Sequence, residues 1–116
     1  MNRILVAIFI IFTASPAFAH AFLLSAIPRV GSVIPTAPTE VVLTFTQGIE
    51  PDFSKIEVQD ATGASVTAGP PHTEGDPAIF AVPLKKLSPG AYKVIWQVTS
   101  VDTHKTQGKF TFSVAQ

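Results

Sequence analysis

The chain has 116 residues, with eight Lys plus Arg against eight Asp plus Glu, three histidines, no cysteine and one methionine, Met1. Balanced charge, with no basic run longer than Lys85-Lys86, excludes nucleic-acid or anionic-lipid binding as the organising theme. The lack of cysteine excludes a disulfide framework, thiolate catalysis and a blue-copper centre.

The first segment reads as an export signal. Arg3 precedes an apolar run from Ile4 to Phe12, and "TASPAFA" follows with small residues at Ala17 and Ala19. Nine apolar residues fall short of the roughly 20 that a membrane-spanning helix needs. Cleavage is therefore expected after Ala19, leaving residues 20–116 as one domain that starts at His20, with no membrane insertion once the signal is gone. Because Met1 leaves with the leader, the remaining domain has no sulfur, and any metal site in it must use nitrogen and oxygen.

Beyond His20 the pattern is short apolar alternation between Pro and Gly punctuation, which predicts an all-β fold. A short strand is expected near Phe22 to Leu24. "VVLTF" then puts Val41, Leu43 and Phe45 on one face, and "KIEVQ" does the same with Ile56 and Val58. The acidic pair Glu50 and Asp52 around Pro51 reads as a turn, and "DATGA" at 60–64 as a tight hairpin signal. Residues 67–77, "TAGPPHTEGDP", read as a polar surface loop in which His72, beside Glu74 and Asp76, is a solvated loop histidine, the alternative being a second metal site there. "AIFAV" at 78–82 is expected to end at Pro83 or lie at a sheet edge. "LSPGAY" resembles the tyrosine corner of Ig-like sandwiches, giving Tyr92 a structural role. The two longest strands follow, with Tyr92, Val94, Trp96 and Val98 on one face and then Phe110, Phe112 and Val114. About seven strands suit an Ig-like or cupredoxin-like Greek-key sandwich or barrel.

No nucleophile elbow and no phosphate-binding glycine loop occurs, so histidine carries the chemistry and no catalytic residue is assigned. In "SVDTHKTQG", Asp102 and His104 are two apart and in extended chain leave the same face, able to converge on one ion. The alternative is a polar hairpin loop with Asp102 accepting turn hydrogen bonds. An N-terminal His20 would add its α-amine and its imidazole, which together can close a chelate ring. His20, Asp102 and His104 then supply three nitrogens and one carboxylate oxygen, a set suited to a tetragonal Cu(II) centre, with Ni(II) and Zn(II) as competitors.

Two blocks, "HAFLLSAIPRVGSVIPTAPTEVVLTFTQGI" and "LSPGAYKVIWQVTSVDTHKTQGKFTFSV", resemble the CopC family of periplasmic copper-binding, copper-resistance proteins over essentially the whole length after the leader. The resemblance implies Cu(II), one per chain, held by the His20 amine and imidazole and by Asp102 and His104 of the "SxDxH" motif. It also implies a non-enzymatic periplasmic protein that sequesters copper or delivers it to a membrane copper transporter, a CopD-like inner-membrane protein being the candidate; a monomer is expected. Family members with a Cu(I) site use a loop rich in methionine and histidine; residues 60–77 here contain no methionine, so no Cu(I) site is expected. Gln47 stands where many relatives have a Glu near the copper. Two other readings are a copper-dependent oxidative enzyme of the histidine-brace type and an Ig-like interaction module without metal.

Overall fold

The computed structural model describes residues 21–116; the leader and His20 lie outside the described residues. Strands form where apolar side chains alternate. In β3 (Glu40–Phe45), Val41, Leu43 and Phe45 are buried while the residues between them are only partly so. The same two-residue period buries Ile56 and Val58 in β4 (Lys55–Gln59), four residues of β7 (Gly90–Thr99), and Phe110, Phe112 and Val114 in β8 (Lys105–Val114). β1 (Leu23–Ile27), β2 (Val33–Ile34), β5 (His72–Glu74) and β6 (Asp76–Pro83) complete the set.

These strands make two four-stranded sheets, ordered β1-β3-β6-β5 and β2-β8-β7-β4. All pairings are antiparallel except β2 with β8. The inner faces meet in one core built on Phe45, Phe80, Phe112 and Leu43. The architecture is therefore an all-β sandwich and not the closed barrel that the sequence also allowed.

One expectation is corrected and two are made specific. Of the two options for β6, it ends at Pro83 and lies inside its sheet between β3 and β5, because Pro83 is its last residue and interrupts little of the ladder. Residues 67–77 are not wholly loop: Thr67 bridges Leu84, and His72–Glu74 pairs with β6 as an exposed edge strand. Strands number eight among the described residues, in keeping with about seven; the two without a sequence signal are β5 and the two-residue β2, which are held by pairing and have no alternation of their own.

The turns behave as their residues dictate. Pro51–Phe53 is a single 3-10 turn. Asp60 accepts hydrogen bonds from the Thr62 amide and hydroxyl and the Ala64 amide, and Gly63 takes the left-handed conformation (φ 86°) that closes the turn. The Tyr92 hydroxyl donates to the Ser88 carbonyl at 2.5 Å while its ring stacks on Phe112 at 5.4 Å, which makes it the corner residue expected. Trp96 belongs to the core, edge-on to Phe45 with centroids 5.2 Å apart. Such a pair contributes about 0.5–1.5 kcal/mol beyond its area.

Candidate metal centre

β7 and β8 form a ten-pair hairpin whose last rung is Thr99 with Lys105, so residues 100–104 make its connecting turn. The Ser100 amide donates to the His104 carbonyl (2.9 Å) and the Thr103 amide to the Ser100 carbonyl (2.8 Å). Closing so tightly forces Thr103 to φ 71°, a left-handed value that costs a β-branched residue on the order of 1–3 kcal/mol. A second segment clamps the turn: the Val101 amide donates to the Gly48 carbonyl, the Glu50 amide to the Thr99 carbonyl, and Ile49 bridges Ser100.

The structure brings Asp102 and His104 together, though by this turn and not by strand alternation. His104 Nδ1 lies 3.4 Å from Asp102 Oδ2, with the side chains 47% and 33% exposed. Two donors bound about 2.0–2.2 Å from one ion at angles between square and tetrahedral lie roughly 3–3.5 Å apart, so the pair already has the spacing of neighbouring ligands. The other carboxylate oxygen, Oδ1, accepts the hydroxyl of fully buried Ser100 in a short hydrogen bond. That division of labour holds the carboxylate through Oδ1 and leaves Oδ2 to the His104 side.

The Ser100 hydroxyl holds the Asp102 carboxyl below its ordinary pKa; partial desolvation opposes it and His104 adds to it. A depressed folded-state value means that the ionised carboxylate favours the folded turn at every pH above the ordinary carboxylate range, and that this is lost only as pH falls through the lower folded value. Ser100→Ala is expected to move the Asp102 titration upward, so that the loss begins at higher pH. Carboxyl-carbon NMR titration checks this, and an unchanged Asp102 curve in the variant would refute the role given to Ser100.

Beside this turn the first described residues are tied down. The Thr106 hydroxyl donates to the carbonyl of fully buried Ala21 at 2.9 Å. The Phe22 amide donates to Thr46 Oγ1, and the Thr46 amide to the Phe22 carbonyl, each at 2.9 Å. The residue that follows His20 is thus bonded to β8 only two positions beyond His104. Gln47 sits half-buried in the clamping segment beside Gly48. His72 is elsewhere, on β5, with Nε2 3.0 Å from Glu74 Oε1. Sequence reasoning missed Ser100, Thr46 and Thr106 as supports; the Ser of "SVDTH" was the available signal for the first, and nothing local marked the two threonines.

With this geometry in place, a family model for the CopC domain matches residues 23–115. The chain belongs to the CopC family. Protein YobA of Escherichia coli K12 is 37% identical over 99 residues, covering 84% of this chain and 80% of that protein. Copper resistance protein C of Xanthomonas campestris pv. juglandis is 31% identical over 109 residues, covering 87% and 84%. The crystal structure of CopC from Methylosinus trichosporium OB3b superposes with a TM-score of 0.77 at 32% identity, covering 83% of this chain and 94% of that one. The CopC fold is therefore the sandwich described above, and the family match spans both the clamping segment and the 100–104 turn.

Proposed function

We propose that this CopC-family chain is a periplasmic Cu(II) carrier or buffer, active in copper resistance or homeostasis after a signal comprising residues 1–19 is removed. The similarity to a protein named copper resistance protein C supports copper handling. Among the described residues no helix is long and apolar enough to cross a membrane. One observation supports the ligand set: Ala21 is buried and its carbonyl accepts from Thr106, two positions beyond His104 in the strand that follows the 100–104 turn.

One Cu(II) is then held by the amine and imidazole of His20, by Asp102 Oδ2 and by His104. Nitrogen and oxygen donors suit Cu(II), and the absence of thioether and thiolate disfavours Cu(I). Asp102 and His104 are partly exposed, so an acceptor, for which a CopD-like membrane transporter is the candidate, can displace the donors one at a time. Filling the fourth position with Asp102 argues against the histidine-brace oxidase reading, which needs an open coordination position for its oxidant.

The signal peptidase acts as a chemical gate in this account. Before cleavage the His20 nitrogen is an amide and a poor donor; afterwards it is an amine with an ordinary pKa of about 7.7–8.0, from which a metal readily displaces a proton. A competition titration tests it: the chain beginning at His20 binds one Cu(II), and placing one residue before His20 lowers the affinity by roughly 100-fold or more. Equal affinity would overturn the proposed ligand set.

A further inference from the structure

On the outer face of the sheet containing β5, away from the 100–104 turn, three potential ligands converge. One ligand atom from each of Glu40, His72 and Glu74 lies within 4.8 Å of the others. Glu40 opens β3 and the other two belong to β5, so the cluster spans the intervening strand β6. The register explains how. His72 and Val42 flank Ala81 from opposite sides, and Glu40 lies two residues from Val42, facing the same way, opposite Pro83. Ala81 points away from the core formed by its neighbours Phe80 and Val82, yet it is fully buried. A small residue there gives the long side chains on either side room to lie across the sheet toward each other.

We propose that Glu40, His72 and Glu74 form a second metal site for a first-row divalent ion, Cu(II) or Zn(II). One imidazole nitrogen and two carboxylate oxygens are borderline-to-hard donors, and three protein ligands leave further positions for water. His72 Nε2 and Glu74 Oε1, at 3.0 Å, already have the spacing of adjacent ligands on one ion. Glu40 closes the triad by a side-chain rotation of an ångström or two. Two carboxylates are held close together here, and among the described residues neither has a Lys or Arg partner within ion-pair distance. A divalent cation relieves that repulsion.

This site does not depend on the His20 centre. Glu40 and Phe45 mark the two ends of β3, about 17 Å apart, and Phe22 is bonded beyond the Phe45 end through Thr46. The function is capacity: a tight site for hand-over and a weaker one that fills when metal is abundant.

The test is a Cu(II) titration of the chain beginning at His20, followed by paramagnetic broadening of its amide NMR signals. The first equivalent is expected to broaden residues near 100–106, and further metal to broaden residues 40, 72–74 and 81. His72→Ala abolishes the later event and leaves the first; His104→Ala does the reverse, so failure of one site is distinguishable from failure of the other. Glu40→Gln weakens the later event about tenfold or more. A second event that persists unchanged in His72→Ala, or broadening spread evenly over surface carboxylates, would overturn the proposal. A Zn(II) titration of the same variants that leaves residues 72–74 unshifted would restrict the site to Cu(II), contradicting the wider ion class assigned to it.

Discussion

Replacing His104 with Ala is expected to lower the Cu(II) affinity of the chain that begins at His20 by more than about 100-fold, because loss of an outer partner alone costs 10–100-fold at metal sites and His104 is proposed as a direct ligand. The same substitution should change metal-free stability little. The side chain is 47% exposed and stands outside the core, and surface changes of this kind stay within about 0.5 kcal/mol. At about 4–8 °C per kcal/mol for a domain of this size, the melting temperature moves by no more than about 4 °C. Affinity by competition and melting by circular dichroism separate the two effects. Affinity retained within tenfold, or a collapse of the metal-free fold, would contradict the assignment.

The opposite behaviour is expected at Gly108. It faces Trp96 in the β7–β8 ladder, and a Cβ placed there would lie 2.5 Å from Trp96 Cζ2 and 2.8 Å from Cε2. Neither atom is the tip of a flexible chain: the indole is buried and packed edge-on against Phe45. Gly108→Ala therefore has to push the ring out of its place. Overpacking of this kind costs about 1–3 kcal/mol, and the rigid ring argues for the upper half, a fall of roughly 10–20 °C in melting temperature. Trp96 is the only tryptophan, so its emission should shift to the red as the ring gains water. Wild-type melting and emission in the variant would refute the packing argument.

These two residues mark what the sequence could and could not disclose. Strands β3, β4, β7 and β8 were legible because each buries one face, and a two-residue period of apolar side chains is the direct record of that. β2 and β5 were not, since Val33–Ile34 is too short to alternate and "HTE" is polar; each exists through a neighbour far away in the chain. At the candidate metal centre the spacing of Asp102 and His104 was readable, and of its two readings the hairpin loop, not the extended chain, is the one observed. Extended chain would also put them on one face, whereas they converge through a turn in which Thr103 is left-handed, a conformation that no Gly or Asn announces. Ser100 is legible only once its hydroxyl is seen on Asp102 Oδ1. Glu40 could not have been joined to His72 and Glu74 from local sequence, because β6 carries the register that brings them together.

The central claim is that the nitrogen of residue 20 becomes a ligand only when it becomes an N-terminus. It is tested most directly by Cu(II) EPR on two chains, one starting at His20 and one with a single extra residue before it. A tetragonal spectrum with hyperfine coupling to three nitrogens is expected from the first chain, and from the second a changed spectrum in which the His20 backbone nitrogen is no longer coupled. Identical spectra from the two chains would contradict it.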